Sequence, residues 1–201
     1  MKLPRTITYL FIAVALSALV SCSSVTTTQP VGDTPLKLNN KTWDGAWLGT
    51  DGGVLYTRVK DERRGLLEVV WVEEKNDELK LVKLQVFLRQ ARSAKWIWAS
   101  VDISQQEEDK AKRNNPPNYH FLVVTHPTDG RLIYWLANVT AFGEAVEDGL
   151  LKGKIMKDKN SIEVVLDPLR DEDLRNMERG GMPDVALWNE PKIFIKLNLK
   201  P

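Results

Sequence analysis

Cysteine is almost absent from this chain: among 201 residues only Cys22 carries a thiol. One cysteine cannot form an intrachain disulfide or a thiolate metal cluster. Histidine is nearly as scarce, with His120 and His126 alone. Six residues apart on an extended strand, the two rings would lie about 20 Å apart, too far to share a metal ion. We therefore predict no metal site and no cofactor.

Catalytic motifs are lacking as well. The sequence has no His-x-x-x-His, no Gly-x-Ser-x-Gly and no phosphate-binding loop. Acidic clusters occur, but the one at Asp171-Glu172-Asp173 suits the first turn of a helix, where carboxylates favour the helix dipole. A glycosidase needs two facing carboxylates, and no pair can be chosen among 27 acidic residues. We predict no catalytic residue, and His126 is expected at the surface, in a turn.

A hydrophobic run long enough to span a membrane is also missing. Lys2 and Arg5 are the only charges before Cys22, and the apolar run Thr6–Val20 follows them. A spanning helix needs about 20 predominantly apolar residues, and this run is shorter and contains hydroxyl groups. Residues 1–21 are therefore predicted to be a secretory signal rather than a membrane-spanning anchor.

The tetrad Leu19-Val20-Ser21-Cys22 resembles the bacterial lipobox. The resemblance implies cleavage before Cys22, which would then carry a diacylglyceryl thioether and an amide-linked acyl chain such as palmitate. Several acyl chains hold a protein firmly, because each buried CH₂ contributes about 0.8 kcal/mol. Ser23, where enteric bacteria often use aspartate for inner-membrane retention, favours the outer membrane, with the domain facing the periplasm. The alternative is an ordinary secretory signal followed by a chance cysteine.

Residues 22–40 are predicted to be a flexible tether. The segment is polar, contains Pro30 and Pro35, and has no apolar period, so it is expected to bury too little surface to fold. Fully extended it would reach on the order of 60 Å. Residues 41–201 form the predicted single domain. Loss of Lys2 and Arg5 takes the net charge from +1 to about −1, which gives no electrostatic case for nucleic acid or an anionic membrane face.

Short runs of β-branched and aromatic residues recur between turn residues from Trp43 onward. Such runs predict half-buried antiparallel strands. We predict a mainly β (α+β) fold, either an antiparallel sheet or a small β-barrel, with one or two short helices in the C-terminal half. One helix is predicted from Val139 to Val146, ending near Gly149, and another from Asp167-Pro168 to Gly180.

Gly45-Ala46-Trp47 resembles the Gly-x-Trp signature of lipocalins. Thr128-Asp129 lies in a predicted hairpin turn where that family often has Thr-Asp-Tyr, although Gly130 stands in the place of the tyrosine. The resemblance implies an up-and-down barrel that holds a small apolar ligand. The segment Trp188–Pro191, with the strand pattern before it, is similar to small proteobacterial lipoproteins, a likeness that implies no activity.

Seven tryptophans stand out in a chain of this size. Trp96 and Trp98 share one face of a strand because they are two residues apart. With Trp47, they are candidates for a wall that binds sugars, peptidoglycan or lipid. The alternative is a sheet face packed on the core, with either Trp43 or Trp96 exposed.

These patterns predict a non-catalytic, membrane-anchored envelope lipoprotein that binds or supports a protein complex, the cell wall or a lipid. Two alternatives stay open: a lipocalin-like carrier of a small apolar ligand, and a small hydrolase whose site has no recognisable motif. The lack of a nucleophile–base pair favours a protein that is not an enzyme. No nucleic-acid partner is expected, and the oligomeric state is not specified by the sequence.

Overall fold

An eight-stranded antiparallel barrel forms the centre of the computed structural model. The structure describes residues 23–75, 78–92, 95–104, 118–158, 161–179, 182–183 and 185–198. The barrel strands are β2 (Gly45–Gly49), β3 (Val54–Asp61), β4 (Leu66–Lys75), β5 (Glu78–Gln90), β6 (Trp96–Asp102), β7 (Tyr119–Thr125), β8 (Arg131–Leu136) and β13 (Lys192–Lys196). Consecutive strands in this list are neighbours, and β13 pairs with both β8 and β2. The mainly β prediction is confirmed, and the barrel replaces the open sheet.

The hairpin between β7 and β8 forms as the sequence predicts. Thr128 and Arg131 exchange backbone hydrogen bonds of 3.0 and 2.9 Å. The two residues between them, Asp129 and Gly130, have φ angles of +50° and +70°. Both angles are positive, as in a type I′ turn, and Asp-Gly is among the residue pairs that tolerate it best.

A second layer covers one side of the barrel. It contains the strands β1 (Ser24–Thr27), β9 (Gly153–Asp158) and β10 (Ser161–Leu166), in the order β1-β10-β9. β1 joins the barrel by pairing with Tyr119 and His120 of β7, whereas β8 pairs with residues 122–124 of the same strand. On this side β7 therefore pairs with β1 along its first residues and with β8 along its later ones, and we call the point between them the fork of β7.

The predicted tether is wrong, because residues 23–39 are packed into the domain. β1 lies between β7 and β10, and Val25 is 4% exposed. Further along, Leu36 and Leu38 are buried in the barrel core. At Gly65, with φ +65°, a Cβ atom would lie 2.3 Å from the Leu88 carbonyl oxygen and 3.0 Å from that of Leu36. The N-terminal segment thus crosses too closely for a side chain at this position.

The described residues also include three short helices: α1 (Asn40–Trp43), α2 (Val139–Glu147) and α3 (Asp171–Asn176). A 3-10 turn spans Val185–Leu187, and the short strands β11 (Glu178–Arg179) and β12 (Met182–Pro183) pair with each other. None of the helices in the described part of the chain is long and apolar enough to cross a membrane.

The helix predictions hold in part. α2 forms where predicted, and Gly149 follows it with φ +71°. The predicted start of α3 at Asp167 is wrong by four residues. Its boundary is set by Asp173, whose Oδ2 accepts from the backbone N–H of Arg170 at 2.8 Å. α1 lies in the N-terminal half, where no helix is predicted, and Asn39 caps it by accepting from the Lys41 N–H. Residues 105–117, most of the charged segment Ser104–Asn118 that the sequence predicts to be an exposed loop, lie outside the described residues.

Two separate apolar cores result. Inward-facing residues of the barrel form the first, the barrel core, together with Leu36, Leu38 and Trp43. The second, the outer core, lies between the outer face of β6 and β7 and the second layer. Its buried members are Val25, Val31, Ala91, Trp96, Trp98, Phe121, Val123, Phe142, Ala145, Leu151, Val164, Leu166, Leu174, Met177 and Trp188.

Candidate functional site

The barrel core contains an apolar cavity of about 140 Å³. Strand alternation creates it, because every second residue of β3, β4 and β5 faces inward. Its walls are aliphatic and aromatic, with Thr57, Asp51 and Tyr134 the main polar residues. The principal lining residues are Trp43, Trp47, Leu55, Thr57, Leu67, Val69, Trp71, Leu84, Val86, Leu88, Ala99, Val101, Leu122, Val124, Leu132, Tyr134 and Phe194.

A tryptophan pair forms the end of the cavity nearest α1. Trp47 is 1% exposed, and its Nε1 donates to the Thr57 hydroxyl at 2.9 Å. That hydroxyl donates in turn to the carbonyl of Trp43, at the end of α1. The indole N–H of Trp47 is thereby satisfied, and its ring is held in a fixed orientation.

Lys196 lies against the ring of Trp47 and the carbonyls of α1. Its Nζ lies 5.5 Å from the centroid of the Trp47 ring and donates to the carbonyls of Lys41 at 2.9 Å and Thr42 at 3.0 Å. Burial lowers the pKa of Lys196, and the nearby Asp44 carboxylate opposes that shift. A cation over an indole and against helix carbonyls ties the last strand to α1.

At the other end, which we call the rim, the cavity reaches the turn between β2 and β3. Asp51 and Gly53 of this turn are among the lining residues. Tyr134 stacks on Phe194, with ring centroids 5.1 Å apart and an interplanar angle of 14°. Burial raises the pKa of Tyr134, and Asp51 adds to the shift, so the phenol stays neutral at physiological pH. One carboxylate therefore lies at the rim, and the wall beside it is aromatic.

Trp71 is one of the lining residues that the sequence did not suggest as part of a site. It is 6% exposed, and its Nε1 has no hydrogen-bond partner within the described part of the chain. A buried donor without a partner costs about 1–3 kcal/mol. Trp96 and Trp188 of the outer core share this property, but only Trp71 adjoins the barrel cavity. In the sequence, only the alternation of residues along β4, which places Trp71 on the inward face, indicates this role.

The three tryptophans proposed as a binding wall are separated by the fold. Trp47 lines the cavity, as that prediction requires. Trp96 and Trp98 do share a strand face, with ring centroids 5.3 Å apart, but this face lies outside the barrel and is covered by the second layer. The expectation that Trp43 or Trp96 is exposed is wrong, since they are 5% and 2% exposed.

His120 lies at the fork of β7, beside a second cavity of about 300 Å³. This cavity is also lined by Ser23 and Asn189. Burial lowers the pKa of His120, and a hydrogen bond with the backbone of Val25 partly offsets the shift. His126 follows the opposite end of β7 and is half-buried, not fully at the surface as expected. The two histidines are thus separated along the strand.

Other candidate residues do not gather into a site. Across the described ranges, no group of three or more His, Cys, Asp or Glu side chains could hold a metal ion. Asp171 pairs with Arg92 at 2.6 Å, while Asp173 caps α3. Cys22 lies outside the described residues, next to Ser23.

Comparison with protein-family models, with curated proteins and with solved structures gave no match.

Proposed function

We propose that this protein binds a small apolar ligand inside its barrel and that acylation of Cys22 holds it at a membrane. The observation that carries the first part is the apolar cavity of about 140 Å³ within a closed barrel. An apolar protein cavity of about 150 Å³ is large enough to bind benzene. The expected ligand is therefore a single ring or a short alkyl segment of similar volume.

The lining narrows the chemistry of this ligand. Trp71 offers an indole N–H without a partner among the described residues, so a ligand with one hydrogen-bond acceptor gains an interaction. Asp51 lies at the rim, where it would repel a carboxylate. A neutral alcohol, ether or carbonyl compound fits this lining better than a fatty-acid anion.

The membrane part of the proposal has support from the lipobox resemblance at Cys22. The packing of Ser23 adds a geometric consequence: its Oγ accepts from the Ile162 backbone N–H at 3.1 Å, and Ser24 pairs with Glu163. An acylated Cys22 would therefore lie one residue from the folded domain. The domain would rest against the bilayer instead of extending from it on a long tether.

Ligand binding is tested with two variants on one strand. Val69 lines the cavity, whereas Val72 is 55% exposed on the outer face of β4. Calorimetric titration with hexanol, and with hexanoate as the charged comparison, is made on the native chain, Val69→Phe and Val72→Phe. We expect hexanol to bind the native chain and Val72→Phe, and to lose at least tenfold in affinity for Val69→Phe, about 1.4 kcal/mol.

Two results would contradict the proposal that the barrel binds a small apolar ligand. Equal hexanol affinity in Val69→Phe and the native chain would place binding outside the barrel. Absence of binding to the native chain, for hexanol and for a ring compound such as anisole, would leave the barrel as a structural support only.

The anchor is tested separately by intact mass. Native protein is extracted from membranes with detergent beside a Cys22→Ala chain. We expect the mass of the chain from Cys22 plus acyl groups, and loss of that product in the variant. An unmodified thiol would reject the anchor and leave the cavity proposal untouched.

A further inference from the structure

The outer face of the barrel carries an exposed row of aliphatic side chains across five adjacent strands. Register aligns Ile195 with Leu48, Leu48 with Val54, and Val72 with Leu81. Val54 stands beside Val72, because the neighbouring pair is Leu55–Trp71. These five side chains are 36–72% exposed. We call this row the apolar belt.

Three more exposed residues widen the belt. Ile193 and Leu79 lie two residues from the row towards the rim, and Tyr56 lies two residues from it on the other side. Their exposures are 36%, 75% and 53%. Together the belt holds eight of the ten large apolar side chains that are exposed within the described residues. Contiguous apolar surface of this kind usually marks an interaction site.

The fold itself does not use the belt. The residues that alternate with it face inward and line the cavity, Leu55 and Trp71 among them, and of the eight belt residues only Val54, at the rim, is also a lining residue. The outer face of β6 and β7, on another side of the barrel, is covered by the second layer. Among the described elements none pairs with or packs over the belt.

Exposed cationic side chains lie next to the belt. Arg58 and Lys60 continue the outer face of β3, Lys83 follows Leu81 on β5, and Arg131 pairs with Ile195. Glu68 is an acid at an outward position of β4 in this region. Glu68 is bridged by Lys83 at 2.6 Å and by Lys60 at 3.6 Å.

Arg58, Lys60 and Lys83 therefore place positive charge on the side of the belt away from the rim, whereas the exposed acids Asp51 and Glu78 lie on its rim side. The net charge of the chain alone gives no electrostatic case for an anionic membrane face.

We propose that the apolar belt docks onto the surface of a lipid bilayer that contains anionic headgroups. Three features favour lipid over a protein partner. The belt is aliphatic apart from Tyr56, it lies on the convex outside of a barrel, and cationic side chains flank it. Aliphatic surface beside Lys and Arg is the pattern of interfacial membrane binding, whereas protein interfaces enrich aromatic residues and need a complementary shape.

The proposal goes beyond ligand binding and does not depend on acylation of Cys22. Its consequence for the barrel is geometric: the belt lies in the half of the barrel nearest the rim, which it would bring close to the lipid.

Fluorescence quenching tests the docking on the full chain. Cys22→Ala removes the single native thiol, and one new cysteine is placed either at Leu81 in the belt or at Lys154 on β9 of the second layer. Each is labelled with the same polarity-sensitive dye and reconstituted in phosphatidylcholine–phosphatidylglycerol vesicles, with or without nitroxide-bearing lipid. We expect a blue shift and loss of most emission to the nitroxide at position 81, and little change at position 154.

Two further measurements keep the test decisive. A chain with Val72→Glu and Leu79→Glu, labelled at position 48, is expected to lose the quenching that the same label shows without these substitutions. Both sites are on the surface, so circular dichroism should confirm an unchanged fold. Equal quenching at positions 81 and 154 would overturn the proposal. So would a blue shift at position 81 that nitroxide does not quench and that grows with protein concentration, since this result would assign the belt to a second copy of the chain.

Discussion

The barrel core and the outer core solve the same packing problem differently. In the outer core, Trp98, Phe121, Phe142 and Trp188 form a chain of ring contacts, with centroids 5.5–6.0 Å apart. The barrel core is equally apolar but contains a cavity of about 140 Å³. Large side chains are thus available to this chain, and they fill one core and not the other. The space in the barrel follows from the arrangement of its residues rather than from a shortage of bulky ones.

Truncation in the dense core should have the largest effect. Phe142 is 0% exposed and contacts Phe121 and Trp188 edge to face. We expect Phe142→Ala to lower the free energy of unfolding by about 3–5 kcal/mol, measured by urea denaturation. A cost near that of a surface substitution, within about 0.5 kcal/mol, would show that the outer core contributes little to stability.

The next largest loss of stability is expected when the packing of β1 on the outer core is weakened. We expect Val25→Ala to destabilise the fold by about 2 kcal/mol, because buried methyl groups are lost. Val54→Ala, at an outer position that is 38% exposed, should cost less than about 0.5 kcal/mol. Equal urea midpoints for the two variants would mean that residues 23–39 behave as a tether in solution.

A matched pair of enlargements compares the cores directly. Val69→Phe adds a ring beside the cavity and is expected to stabilise the fold by about 1 kcal/mol, the usual gain from filling a cavity. Val123→Phe adds the same ring to the outer core, where Val123 is 0% exposed, and should cost about 1–3 kcal/mol through overpacking. Thermal unfolding of both variants shows whether each substitution raises or lowers the stability. If both lower it, the barrel is packed as densely as the outer core.

The smallest expected effect is pH dependence at the fork of β7. Burial lowers the pKa of His120 in the folded state, so folding favours the neutral ring. The stabilisation is fully present above the ordinary histidine pKa of about 6.5 and is lost as the pH falls towards the depressed value. We expect the urea midpoint to decrease between pH 7.5 and 5.5, and to decrease less in His120→Gln. The same decrease in both chains would assign the effect to other groups.

Local patterns in the sequence predicted the parts of the fold that neighbouring residues determine. Alternation predicted the barrel strands, and Asp129-Gly130 predicted its hairpin. The tether failed because Thr26 and Thr27 are polar by composition yet lie 1% exposed between two strands. Pairing with β7 and β10 holds these two polar residues in the sheet, and both partner strands lie far along the chain.

The candidate site was predicted less well than the fold. Trp47 was assigned to a ligand site through Gly-x-Trp, and the structure places it in the cavity wall. The spacing of Trp96 and Trp98 is the same as that of residues that face into a barrel. Only the three-dimensional structure, in which the second layer covers them, shows that their face lies outside the barrel. The belt was missed for the same reason. In the sequence, Leu48 and Val72 have the pattern of core residues, and only the closed barrel shows that they lie on its outer face.

The position of β1 also affects the order in which the chain can fold. Ser23 finds its partner Ile162 only 139 residues later, and β1 pairs with β10 as well as β7. Contacts between such distant residues form late, because a long loop must close first. During synthesis residues 23–27 therefore stay without their β-sheet partners until β10 has been made. An enzyme that acts on the neighbouring Cys22 would meet an accessible segment, and completion of the second layer would later withdraw it.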